Sequence, residues 1–205
     1  MIACASMICG LILLFVAFLG PWYTISGSGL LEANYNVRLY LTRMEIQGTF
    51  SGQDISLSMG YAEAKLNTPN TDVNMESFTA INTAMYLTLL AMVTALITII
   101  CMAAFVFNKG KPNTMKLLGG LFGLLTFFLA LVPALYFMST GFVENSSGFW
   151  FSQSALGVHL SGSPGYAWYL MIAVAIIAVI SVVAILIKKI VPEGASSEKL
   201  PPSTN

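Results

Sequence analysis

The chain has 205 residues, of which 57% are hydrophobic and only 9% charged, against about 25% charged in a soluble globular domain. Nine basic residues balance nine acidic ones, so no net charge invites nucleic acid. This composition excludes an ordinary soluble domain and makes the lipid bilayer the first partner to consider.

Residues 2–20 are apolar from the start. A secretory signal would carry a basic n-region and a small-residue cleavage site. Here Arg38 is the first basic residue, and Pro21-Trp22-Tyr23 follows the apolar run as an aromatic anchor of the membrane–water interface. The stretch reads as a retained first membrane helix. Cys4, Cys9 and Cys101 all fall in apolar runs, whereas a disulfide framework would sit in the polar segments. They read as small apolar packers or as palmitoylation sites near a membrane face.

Residues 23–77 form the first polar segment, with acids Glu32, Glu45, Asp54, Glu63, Asp72 and Glu76 against bases Arg38, Arg43 and Lys65. Ser26-Gly27-Ser28-Gly29 reads as a loop. Val37, Leu39 and Leu41 alternate with Arg38 and Tyr40. Near Thr42 the phase slips to Met44 and Ile46, which suggests a bulge. Ile55, Leu57, Met59 and Tyr61 alternate with Ser56, Ser58 and Gly60, as in a half-buried strand. Phe50-Ser51-Gly52-Gln53-Asp54 suits a hairpin turn between them. The segment therefore reads as a small antiparallel sheet.

A second helix spans 78–107, capped by Asp72 or Ser77. Its stretch 84–107 holds no charge, proline or glycine, and its polar side chains are Tyr86, Thr88, Thr94 and Thr98. That stretch makes a helix of roughly 36 Å, enough to cross a hydrocarbon core of about 30 Å. Asn108-Lys109-Gly110-Lys111-Pro112-Asn113 is a tight turn into a third helix, 115–138. There Gly119 and Gly123 form a G-x-x-x-G pair, which packs inside the chain's own bundle or drives homodimerisation.

The second polar segment is 139–164. Asn145-Ser146-Ser147 is a chance match or a used glycan acceptor. Phe149-Trp150-Phe151 is an aromatic cluster, and the alternation at Val158-His159-Leu160 suggests one further strand. His159 reads as a structural histidine, with a metal ligand or pH sensor as the other options. Ser161-Gly162-Ser163-Pro164-Gly165 reads as a turn. Tyr166, Trp168 and Tyr169 open the fourth helix, 165–188, at the interface. The tail, 191–205, is Pro/Ser-rich and reads as disordered.

Lys109, Lys111 and Lys116 near the short turn, with Lys188, Lys189 and Lys199 after the last helix, outweigh Glu193 and Glu198. The positive-inside rule then puts the turn and both termini in the cytoplasm and both polar segments outside the plasma membrane. No helix carries Asp, Glu, Lys, Arg or His in its middle, as ion-coupled transport would require. There is no Cys-x-x-Cys, Walker A, G-x-S-x-G or His/carboxylate cluster, hence no expected catalytic, cofactor or metal residue.

This layout resembles the claudin-like tetraspan superfamily: four helices, a long strand-rich first outer segment, a shorter second one, a tight basic turn and an inside tail. Pro21-Trp22 is similar to the proline and tryptophan that close the first helix in that family. The resemblance implies an all-α four-helix membrane bundle with a small extracellular antiparallel β-sheet, four strands coming from the first outer segment and one from the second. The family's G-L-W…C…C signature is absent, so its sheet-bracing disulfide is not expected here. Members form junction strands, serve as auxiliary channel subunits or organise membrane domains. The expectation is a non-enzymatic multi-pass protein acting by lateral or cell-surface contacts, through self-association or a membrane-protein partner. Phe149, Trp150 and Phe151 are its candidate contact surface, or else pack the sheet onto the membrane. The alternative is an accessory subunit of a transporter or channel complex that docks by the glycine face of helix three.

Overall fold

Small residues at spacings of three and four run down the second apolar helix: Ala80, Ala84, Thr88, Ala91, Ala95, Thr98 and Met102, all buried. That is a heptad seam, which keeps one narrow face of a helix turned to its neighbours along its whole length. The third helix repeats it with Gly119, Gly123, Thr126, Ala130, Pro133 or Ala134, and Phe137. The first does so with Met7, Gly10, Leu14 and Ala17. Small seam residues let backbones approach closely, the main source of helix association where lipid removes any hydrophobic drive.

The computed structural model describes residues 2–29, 33–61, 63, 75–107, 111–139, 149–155 and 157–187. Four helices, α1 (Ile2–Leu19), α2 (Met75–Val106), α3 (Pro112–Ser139) and α4 (Tyr166–Ile187), form a ring. In it α1 packs on α2 and α4, and α3 packs on the same two. All four are long and apolar enough to cross a membrane, as a multi-pass membrane protein requires. Helix α2 begins at Met75, so Ser77 lies inside it and is not its cap, while Asp72 falls outside the described residues. Helix α3 starts at Pro112, because proline fits a first turn whose N–H groups have no helical partner.

The buried hydroxyls are satisfied within the bundle. Thr88, Thr98 and Ser181 donate to the carbonyls of Ala84, Thr94 and Ile177 at 2.7–2.8 Å. Thr126 lies 3.0 Å from the Thr94 hydroxyl, a bond across α2 and α3. Gly119 faces Cys101 and Met102 on one side and Ile185 on the other, and Gly123 faces Thr98 and Val182. The G-x-x-x-G face is thus filled by α2 and α4 of the same chain.

Six strands make one antiparallel sheet: β1 (Tyr23–Ser28), β2 (Asn34–Leu39), β3 (Arg43–Phe50), β4 (Gln53–Gly60), β5 (Phe151–Ala155) and β6 (Val158–Pro164), in the order β4-β3-β2-β1-β6-β5. Pairing of β1 with β6 joins the two polar segments, so both lie at one end of the bundle. The β3–β4 turn is Ser51-Gly52 with φ of 51° and 77°, the two left-handed residues of a type I′ hairpin.

Four further expectations, all in the polar segments, are corrected. Ser26-Gly27-Ser28 is not a loop but part of the central strand β1, where Gly27 is required because the Tyr35 ring lies across it. The phase slip at Thr42 is not a bulge but the turn between β2 and β3, closed by a Tyr40 N–H to Arg43 carbonyl bond of 2.9 Å. The second segment supplies two strands, not one. Ser161 to Pro164 is strand, and Gly165 alone makes the bend into α4.

That bend is the joint of the molecule. Gly165 N–H bonds the Trp22 carbonyl at 2.9 Å, Trp22 N–H bonds the Leu39 carbonyl at 2.7 Å, and Ala167 N–H reaches the Pro21 carbonyl at 3.2 Å. A Cβ on Gly165 would overlap the Pro21 carbonyl. Gly165→Ala is therefore expected to cost about 1–3 kcal/mol or more, the range for overpacking a rigid site. Gly60→Ala, where a Cβ meets nothing within 4 Å, should be near neutral. Thermal unfolding in one detergent compares the two, and equal losses would refute the joint.

Candidate functional site

In an antiparallel sheet, residues opposite one another share a face. The register places Tyr23, Leu39, Met44, Met59 and Pro164 in one row and Ile25, Val37, Ile46, Leu57 and Gly162 in the next. This face is apolar. Its row nearest the bundle is largely buried, whereas Tyr35, Ile55, Leu57 and Val158, farther out, are 40–50% exposed.

The opposite face is polar throughout. One row across the sheet reads Ser56, Gln47, Asn36, Ser26, Ser161 and Ser152; the next reads Asp54, Thr49, Asn34, Ser28, His159 and Ser154. Except for Ser152 and Ser154, these two rows line a groove of about 690 Å³, which Gly27, Tyr35, Gly48 and Ile55 also border. Asp54 apart, the charges lie nearer the bundle, Arg38 and Glu45 in one row and Arg43 in the next. Arg43 Nε donates to Glu45 Oε1 at 3.0 Å, the Tyr40 hydroxyl donates to Glu45 Oε2 at 2.9 Å, and the Arg43 guanidinium lies 4.5 Å over the Tyr40 ring. The Arg43 bond holds the Glu45 carboxyl below its ordinary value.

Asn34, Asn36 and Gln47 were not singled out from the sequence. The signal was present, since Asn34, Asn36 and Arg38 alternate with Tyr35, Val37 and Leu39, starting before Val37. It was hidden because period two does not say that a polar face is a groove. His159 is exposed, and its Nδ1 lies 2.7 Å from Ser154 Oγ on the neighbouring strand. No group of three metal-capable side chains occurs among the described residues.

The aromatic cluster divides. Phe149 and Phe151 are buried, while Trp150 is 49% exposed. Tyr23 donates to the Phe149 carbonyl at 2.7 Å, and Phe149 packs on Tyr23, Phe137 and Trp168 with ring centroids 5.2–6.3 Å apart. Two of the three rings thus seat the sheet on the bundle, and Trp150 stands half exposed with its ring 4.9 Å from Phe149 and 5.8 Å from Trp168. Asn145 lies outside the described residues, as do Lys188, Lys189 and the tail.

The chain matches no protein-family model and no curated protein. Its site is therefore read from geometry alone.

Burial pushes the Tyr23 hydroxyl up to about 12 from 10.0, and raises that of Tyr61, which donates to the Tyr40 carbonyl. Both hold their protons more tightly folded than unfolded. Their contribution is complete below pH 10 and is lost as the pH climbs towards 12. Stability in detergent should fall across that window, and Tyr23→Phe and Tyr61→Phe should each flatten the fall while costing about 1 kcal/mol at neutral pH. An unchanged alkaline limb in both variants would refute the assignment.

Proposed function

We propose that the chain is a non-enzymatic multi-pass protein of the plasma membrane whose sheet stands outside the cell and works by contact with other proteins. The observation that carries this reading is the outer half of the sheet's apolar face. Ile55, Leu57, Tyr35 and Val158 are exposed on it, away from the helices that lipid would cover. Exposed apolar side chains gathered on one face mark interaction sites more often than chance scatter does. The edge strand β4 adds to it: all eight residues pair on one side only among the described residues, with no lysine or proline to guard the other.

The orientation rests on the lysines. Lys111 and Lys116 lie at the end of α3 away from the sheet, and Lys116 Nζ donates to the Leu186 carbonyl at 2.7 Å, where a cation suits the C-terminus of α4. The kinship with claudin-like tetraspans belongs to the same proposal; four strands from the first polar segment and their pairing with the second support it. The accessory-subunit alternative gains nothing from the glycine face of α3, which is filled from within the chain.

Ser58→Cys and Ser152→Cys should react with a membrane-impermeant maleimide on intact cells, and Lys111→Cys only after permeabilisation. The reverse pattern would overturn the orientation. Photo-crosslinking through a probe at residue 57 should capture a protein, and Ile55→Asp should abolish that product with less than about 0.5 kcal/mol lost in stability, as for an exposed position. No crosslinked product from any cell expressing the folded chain would defeat the contact reading.

A further inference from the structure

We propose that the polar groove of the sheet binds a neutral polyhydroxylated ligand, the chemistry of a short saccharide. The groove is lined by Ser26, Asn34, Asn36, Gln47, Asp54 and His159 among others. Hydroxyl and amide side chains are donors and acceptors at once, and an amide offers the paired donor and acceptor that neighbouring sugar hydroxyls complement. Asp54 is the only formally charged side chain among the lining residues. With no lysine or arginine there, a phosphate or sulfate finds no counter-charge; with one carboxylate, a metal ion finds no ligand set. An ordinary solvated surface is about a quarter to a third charged, and this sheet does carry Arg38, Arg43 and Glu45, but in the two rows nearer the bundle. The volume of about 690 Å³ lies within the roughly 300–1,000 Å³ of small-molecule clefts.

Asn36 points to a ligand independently. It lies mid-strand on β2, opposite Ser26 on one side and Gln47 on the other. Its Oδ1 is shut off from solvent and has no hydrogen-bond partner. A buried acceptor left unmade costs about 1–3 kcal/mol. The amide torsion of asparagine is broad and soft, so the oxygen gives up no bond by turning into the groove to take a sugar hydroxyl. Tyr35 and Ile55 also border the groove, with the Tyr35 ring over Gly27, so the polar contacts fall to the hydroxyl and amide side chains beside them. The ligand is a saccharide carried either on a lipid headgroup of the same membrane or on a free or cell-surface glycan.

The proposal assumes the outward sheet of the preceding reading, but its test does not depend on it. The detergent-solubilised full chain is applied to an array of neutral mannose-, glucose- and galactose-terminated oligosaccharides, and then to vesicles with and without a glycosyl diacylglycerol. Binding to at least one neutral sugar is expected, unchanged between low and high salt, and at least tenfold weaker in Asn36→Leu with an unfolding temperature equal to or above the parent's. Gln47→Ala, at an exposed position, should also weaken it and serves if Asn36→Leu does not fold. Equal competition by the free sugar assigns the glycan source; retention on glycolipid vesicles alone assigns the lipid. No sugar bound on array or vesicle, or binding unaltered in both variants, would overturn the site. Protein crosslinking at residue 57 would then still stand or fall separately.

Discussion

Everything above the bundle hangs from the crossing of two chain segments at Pro21-Trp22 and Gly165. The first helix ends there and the fourth begins there, and their backbones bond to each other at 2.9 and 3.2 Å. Buried N–H and C=O groups must be paired. At this crossing the pairing is made between segments more than a hundred residues apart, so β1 and β6 leave the bundle already in register. The rest of the sheet grows outward from that pair. Trp22, fully buried, plugs the end of α1 through a 2.9 Å bond to the Ala17 carbonyl. Its ring meets Phe137 of α3 at 5.3 Å, edge to face. One aromatic floor thus ties helix ends and strand ends together.

From that floor the sheet sorts its chemistry by distance from the bundle. Charges gather next to the helices, where Arg43, Glu45 and Tyr40 satisfy one another. Beyond them one face turns to hydroxyls and amides, with Asp54 the one formal charge among the groove's lining residues, and the other to exposed aliphatics. A plain solvated antiparallel sheet would be polar on one face and covered on the other. Here the apolar face runs on past the cover that the bundle gives it. The sheet thus has two differently surfaced faces, and the bundle beneath it bonds its buried hydroxyls internally among the described residues.

The helices were legible because hydrocarbon leaves no choice: an uncharged run of this length has to satisfy its own backbone. The strand at Ile55 to Met59 was legible from its period of two, but its exposure was not: it reads as half-buried, whereas Ile55 and Leu57 stand 50% and 46% exposed because the bundle does not reach that far. Other strands were not legible. Ser26-Gly27-Ser28 carries the composition of a loop, and only the ring of Tyr35, brought over Gly27 by β2, explains a glycine in a central strand. The slip at Thr42 looks alike in sequence whether a strand bulges or turns back. The partner strand decides, and β2 pairs with β3 itself. The triple Phe149-Trp150-Phe151 gave the right region but not the division of labour, which depends on Tyr23 and Phe137 reaching it from elsewhere.

Sequence alone determined the number of apolar rods, the side on which the lysines collect and the absence of charge within the rods, because each follows from local composition against a single solvent, lipid. Tertiary structure alone decided that the two polar segments share one sheet, that the glycine seam of α3 is consumed inside the chain, and that Asn36 lines a groove. Those facts depend on which distant backbone fills a strand's open edge or a glycine's empty side, and a linear pattern carries no record of its partner.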